Sequence, residues 1–266
     1  MSDVLIALAV GLATAVVVMT VTALVARAVG RVAVVDVAWG LGFVAIAVTT
    51  AAFADGDAVR RWLLPVLVGL WGLRLAWHIR RRAVDAVRSG GGEDPRYEEL
   101  LGGPVRDVGF AVAVRKVFLV QGAAMWFIAL PVQVGAALSV SWWPVAVVGC
   151  ALWLVGLVFE TVGDAQLAAY KKDPDRGPVM DRGLWGWTRH PNYFGDACVW
   201  WGLWLVGGLA SGWLPGLLTV LAPVAMTYFL VFATGARLLE RTMMERSGYP
   251  EYAARTSMFF PRPPRS

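Results

Sequence analysis

The sequence predicts an all-α integral membrane bundle of about seven transmembrane helices, with its N-terminus outside and its C-terminus in the cytoplasm. Three observations predict it. Of the 266 residues, 58% are hydrophobic and only 16% are charged, against about 25% charged in an average soluble domain. Apolar runs recur along the whole length, so the excess is not one leader or one anchor attached to a soluble domain. Basic residues are also unequally shared between alternate connections, which is the pattern that sets orientation in a membrane.

A chain crossing hydrocarbon must close its own backbone hydrogen bonds, so runs of about 20 apolar residues read as helices. Seven runs are found, at 4–26, 33–54, 62–79, 117–138, 142–163, 196–211 and 214–235. They make one integral domain over 1–266. The first carries an Ala26-Arg27-Ala28 stretch resembling a cleavage site, but Asp3 and no basic residue precedes it, so it reads as a retained helix. The sixth is short and is extended by the polar turn from Asn192 to Asp196. Beyond the seventh, Leu238 to Tyr252 reads as a short surface helix, ended by the Pro261-Arg262-Pro263-Pro264 tail.

Of the 24 Lys and Arg residues, 21 fall in odd-numbered connections and two, Arg60 and Arg61, in even-numbered ones. Arg74 lies inside a span. The net charge of +5 then belongs to cytoplasmic loops facing anionic membrane lipids, and nucleic acid is not implied. Cys150 and Cys198 sit in apolar runs, and two cysteines with two histidines give no zinc-ligand spacing, so neither a disulfide framework nor a metal site is expected. No P-loop is present, nor a glycine fingerprint between a strand and a helix. Any nucleotide must be held by helix ends and loops.

Ionisable residues within spans are costly and usually mark a polar cavity or a partner. Arg74 and His78 are four apart on one helical face; so are Glu160 and Asp164, and Asn192 and Asp196. Asp36 lies near the start of the second span, and Glu240 follows the seventh beside Arg237. Each taken singly can be a snorkelling end or an interhelical bond. Together, at the cytoplasmic ends of different spans, they point to a polar cavity open to the cytosol. The stretch from Lys171 to Asp196 is shaped by Pro174, Pro178, Gly183, Gly186 and Pro191. Its cations suit pyrophosphate, Arg189 above all with its planar fork, and Pro191 sets Asn192 and Tyr193 at a helix start.

Four elements carry a resemblance: Gly183 to Asp196, the Asp-Pro-Arg-Tyr of Asp94 to Tyr97, Glu160 to Leu167, and the Gly-Tyr-Pro-Glu-Tyr of Gly248 to Tyr252. With them the chain resembles the bacterial branch of the steroid 5-alpha-reductase C-terminal-domain superfamily over Val35 to Pro264, most densely over 150–264. The resemblance implies an NADPH-dependent reductase of a carbon–carbon double bond in a hydrophobic lipid or steroid-like substrate. Cofactor contacts would map to Glu160, Asp164, Lys171, Arg189, His190, Asn192, Tyr193, Asp196, Arg237 and Glu240. The Gln-Glu pair of the second span and the Tyr of the third, which polarise an enone in steroid reductases, are not found. Asp36 stands near the first position, and Arg74 and His78 near the second, as candidate catalytic residues. The Arg189-His190-Pro191 element is also similar to membrane methyltransferases that use S-adenosylmethionine, which is the alternative function; a lipid-binding scaffold is a third.

The location expected is the cell membrane, with the active site facing the cytoplasm. Reporter tags at Ser2 and Ser266 should lie on opposite sides of the membrane; finding both on one side would exclude seven spans.

Overall fold

The computed structural model of the chain describes residues 2–233 and 235–263. Pro264 and Arg265 of the expected tail, and Ser266, lie outside them. All regular structure among the described residues is helical. Among the described residues six helices are long and apolar enough to cross a membrane: Ser2–Val29 (α1), Val34–Phe53 (α2), Ala58–Arg88 (α3), Phe110–Ile128 (α5), Trp143–Lys172 (α7) and Trp213–Met243. The short helix Pro95–Leu101 is α4 and Leu130–Ala137 is α6. The sixth apolar run of the sequence forms Pro191–Leu203 (α8), continued by a π turn, Trp204–Gly208, and a 3-10 turn, Leu209–Ser211. Within Trp213–Met243 the regular pieces are Trp213–Thr219 (α9), Leu221–Tyr228 (α10), a π turn at Phe229–Ala233 and Ala236–Met243 (α11), and the last helix among the described residues is Tyr249–Arg255 (α12).

Two departures from the expected boundaries have local causes. The run 117–138 breaks at Ala129 because Pro131 sits in the first turn of α6, where a missing N–H costs nothing. The single surface helix expected over Leu238 to Tyr252 is two helices, α11 and α12. Gly248 at φ 79° turns the chain left-handed between them, and Pro250 opens α12.

The chain divides into two compact units, Met1–Trp143 with Gly207–Thr219, and Pro144–Val206 with Val220–Ser266. In the first unit α1, α2 and α3 pack in sequence order, with α6 against α1 and α3. Backbones touch where α2 crosses α3: a Cβ on Gly40 would lie 2.4 Å from the Gly72 carbonyl oxygen. Trp71, fully buried, packs edge-on to Phe43 at 5.7 Å. Arg60, read from sequence as an ordinary loop cation, is fully buried at the start of α3. Its guanidinium donates to Ser211 Oγ at 2.8 Å and to the carbonyls of Leu138 (2.8 Å) and Ser139 (3.2 Å). It thereby fixes the connection after α6 together with the Asp57 amide, which also donates to the Leu138 carbonyl at 3.0 Å.

In the second unit α7 and α8 run antiparallel along a seam of glycines. Gly149 faces Gly202, Gly156 faces Gly195, and Gly163 faces Pro191 and Asn192. A Cβ on Gly195 would lie 2.5 Å from the Gly156 carbonyl oxygen and 2.6 Å from the Glu160 nitrogen. Between hydrocarbon-facing helices no hydrophobic force favours association, so close van der Waals approach supplies it, and small residues permit that approach. Ala197, Val231 and Phe259 form an apolar cluster beside the seam, with Tyr193, Phe194 and Trp201 packed on it. Gly195→Ala should lower the thermal stability of the detergent-solubilised protein by about 1–3 kcal/mol through overpacking. Gly69→Ala, inside α3 and with nothing within 4 Å of the added Cβ, is the control and should be neutral to stabilising by up to about 1 kcal/mol. An unchanged melting temperature for Gly195→Ala would remove the seam as a constraint.

Candidate functional site

The second unit gathers most of the residues read from sequence as cofactor ligands. Glu160 and Asp164 follow Gly156 on α7 by one and two turns, and both are buried. On α8, Asn192 and Asp196 are one turn apart, and Asp196 is buried. The seam brings the two pairs together: Asn192 Nδ2 donates to Asp164 Oδ1 at 3.3 Å, and the backbone of Gly195 touches Glu160. Asn192 Oδ1 accepts from the Tyr193 amide at 3.1 Å. The result is a layer of three carboxylates and one carboxamide set among apolar helices.

The loop entering α8 is pinned from both sides. Trp185 Nε1 donates to the Gly163 carbonyl at 3.0 Å and the Leu184 amide to Gln166 Oε1 at 3.0 Å, which hold it to α7. On its other edge, the Arg189 amide donates to Ser257 O at 2.8 Å, the Arg262 amide to Trp187 O at 3.0 Å, and Thr188 Oγ1 to Phe259 O at 2.9 Å.

Arg189 does something other than the phosphate clamp expected of it. Its Nε and Nη2 grip the Glu240 carboxylate at 2.6 and 2.9 Å, and Nη1 donates to the carbonyls of Ala253 at 2.8 Å and Thr256 at 2.6 Å. Four of the five guanidinium donors are therefore committed within the protein. Burial alone would lower the Arg189 pKa, but the hydrogen bond and charge of Glu240 outweigh it and hold the guanidinium above its ordinary value. Glu240 is also met by His190 Nε2 at 3.1 Å and by the Tyr249 hydroxyl at 3.4 Å. Burial, then the Glu240 charge, pushes the Tyr249 phenol up to about 12. The His190 ring stacks on Tyr193, with centroids 5.4 Å apart and planes 6° from parallel. Arg237 is placed elsewhere, its guanidinium 4.5 Å over the Phe232 ring.

A cleft of about 630 Å³ opens in the same unit, lined by Gln166, Tyr170, Arg176, Asp181, Arg182 and Arg255 among others. It follows Lys171 and Lys172, which end α7. Arg255 pairs there with Asp181, and Arg176 lies over the Tyr170 ring.

The first unit holds a second polar group around Asp36. Asp94 caps α4, accepting from the Arg96 amide at 2.9 Å, and Pro95 occupies the first turn. The Arg96 guanidinium bridges Asp94 at 2.8 Å and Asp36 at 3.0 Å, while the Tyr97 hydroxyl donates to Asp36 and accepts from Gln121 Nε2 at 3.3 Å. Burial, followed by the Asp36 charge, holds the Tyr97 phenol well above the usual range. The Arg96 fork holds the Asp94 carboxyl below its usual value. Glu93 accepts from the amides of Val32 and Ala33 just ahead of α2, so the loop is fastened to the end of the helix that carries Asp36. Arg74 and His78 lie on α3, half-buried. Tyr97, Arg96, Gln121 and Glu93 carried no role in the sequence reading; the capping pattern Asp-Pro-Arg-Tyr was the signal that could have found the first two.

Removing one partner of a buried ion pair strands the other. Arg189 and Glu240 side chains are 10% and 14% exposed, so Glu240→Gln should cost about 3–5 kcal/mol of stability. Arg189→Met combined with Glu240→Gln should cost less than the sum of the two. Strict additivity in thermal unfolding would show the pair to be uncoupled.

No curated protein and no solved structure matches the chain. The model of one family, described as a protein of unknown function (DUF1295), matches residues 22–256, and with that match over most of its length the chain belongs to this family.

Proposed function

We propose that the protein is a membrane-embedded, steroid 5-alpha-reductase-like enzyme that uses NADPH to reduce a carbon–carbon double bond in a hydrophobic, membrane-dissolved substrate. The proposal includes seven spans, with the N-terminus outside and the nucleotide-binding side in the cytosol. The observation that carries it is the layer of three buried carboxylates, Glu160, Asp164 and Asp196, with the half-buried carboxamide of Asn192 beside them. Burying three carboxylates among apolar helices is expensive and has no packing purpose. A layer of acceptors beside one carboxamide suits a ligand rich in hydroxyl and amide donors, as a nicotinamide riboside is. The resemblance of the same residues to the reductase superfamily supports the same ligand.

The fit is divided between two kinds of surface. Carboxylates repel phosphate, so the phosphates would fall to Lys171 and to the arginines of the neighbouring cleft, Arg176 and Arg182. Arg189, His190 and Glu240 act as positioning residues: they fix where α8 begins and so where Asn192 and Asp196 stand. Bound NADPH would supply the hydride. In the first unit, Asp36 and Tyr97, joined by the Tyr97 hydroxyl donating to the carboxylate, would be the proton-holding group, a phenol being protonated at physiological pH at its ordinary pKa. Arg74 and His78 are the further polar groups of that unit available to hold developing charge.

A ligand that binds only the folded state raises its melting temperature. NADPH should stabilise the purified protein and S-adenosylmethionine should not. Asn192→Ala and Asp196→Asn should each weaken NADPH binding roughly ten- to a hundredfold, the equivalent of one charge-assisted hydrogen bond. Stabilisation by S-adenosylmethionine alone would replace the reductase with the methyltransferase. NADPH affinity unchanged in both variants would remove this pocket.

A further inference from the structure

A second groove, of about 370 Å³, lies in the second unit and has no part in the nucleotide reading. Its walls are Val231, Phe232, Met258, Phe259 and Phe260, and Arg262 is the one charged residue among the described residues that line it. Aromatic edges hold its shape. Phe259 meets Phe260 at 5.3 Å and 86°, and both meet Phe194 edge-on, at 5.9 and 6.3 Å. Phe232 and Phe260 are 47% and 64% exposed.

The polar backbone of this segment is turned away from the groove. The carbonyls of Ser257, Met258 and Phe259 accept from Arg189 and Thr188, and the Arg262 amide donates to Trp187. Thr227 Oγ1, also in the lining, accepts from Trp201 Nε1 at 3.1 Å and donates to Pro223 O at 2.8 Å. The groove is thus a mainly apolar channel, with Ser257 and the exposed Arg262 also in its lining. A second guanidinium, that of Arg237, lies 4.5 Å over the Phe232 ring. An exposed guanidinium at the edge of an apolar, phenylalanine-lined groove matches a ligand with an apolar chain and an anionic head.

We propose that this groove binds a single-chain amphiphile with an anionic end, of the long-chain carboxylate class, its chain against Phe232, Met258 and Phe260 and its carboxylate on Arg262. The volume is at the small end of ligand pockets, which run from about 300 to 1,000 Å³, and it accommodates one chain rather than two. The inference does not rest on the reductase reading, since nothing in it involves NADPH.

Native mass spectrometry of the full chain released from a non-ionic detergent tests it, with oleate as the probe. Oleate should bind at least tenfold more tightly than oleyl alcohol, which has the same chain and no charge. Arg262→Gln should weaken oleate roughly ten- to a hundredfold, and Phe260→Ala should weaken both probes. Arg246→Gln, an exposed arginine outside the groove, should change neither. Equal binding of oleyl alcohol, or equal competition by dioleoyl phosphatidate or inorganic phosphate, would overturn the proposal. So would unchanged oleate affinity in Arg262→Gln. The comparison of oleate with oleyl alcohol uses the wild-type protein, so it decides the question even where a variant fails to fold.

Discussion

The second unit depends on backbone meeting backbone along the glycine seam of α7 and α8. Gly149, Gly156 and Gly163 recur every seven residues on one helix and face Gly202, Gly195 and Pro191 on the other. Every polar contact of the candidate site is downstream of that approach. Asp164 and Asn192 meet at 3.3 Å only because Gly163 leaves room for Pro191, and Glu160 is buried because its own backbone lies against Gly195. A methyl group at either central glycine would separate the helices by more than a hydrogen bond tolerates. The seam therefore specifies the position of the polar layer as well as holding two helices together.

Charge in and beside hydrocarbon is costly unless it is paired, and both units use charged side chains as remote helix caps. Arg189 donates to the carbonyls of Ala253 and Thr256 at the end of α12, where the last carbonyls have no intrahelical donors and the helix dipole favours a cation. Glu93 does the converse, taking the amides of Val32 and Ala33 ahead of α2, where the dipole favours an anion. In each case a loop distant in sequence is fastened to a helix end, and the residue next along the chain is aimed. His190 follows Arg189, and Asp94 follows Glu93. Arg60 fixes a third connection in the same manner, through the carbonyls of Leu138 and Ser139.

How much of this was legible in sequence follows from which quantities a sequence carries. Six of the expected spans were legible because hydropathy over about 20 residues is a local property, whereas the run at 196–211 forms the shorter α8 with the turns after it. The pairs Glu160 with Asp164 and Asn192 with Asp196 were legible because helical register places residues four apart on one face. Partner identity was not. Arg189 reads as a phosphate ligand in a basic loop, and only the approach of Glu240, Ala253 and Thr256 reassigns its donors. Tyr97 reads as a loop residue until α4 brings it to Asp36. Gly248 sat in plain view, yet whether a glycine ends a helix or passes within it depends on a φ angle that composition does not carry.

The reassignment of Arg189 changes what can confer specificity on the proposed cofactor. A guanidinium with four donors committed inside the protein cannot also grip a pyrophosphate without releasing Glu240, and that release would leave a carboxylate beside His190 with its main cation gone. Phosphate affinity must therefore come from residues at the rim, Lys171, Arg176 and Arg182, where water and salt screen charge over about 10 Å. The buried layer is not screened in that way. Discrimination between nicotinamide and other bases would then rest on Asp164, Asn192 and Asp196. Attraction of the nucleotide as an anion would rest on the loop. On the proposed function, recognition and attraction would be carried by different surfaces of one unit, and Arg189 would serve both by holding α8 in place.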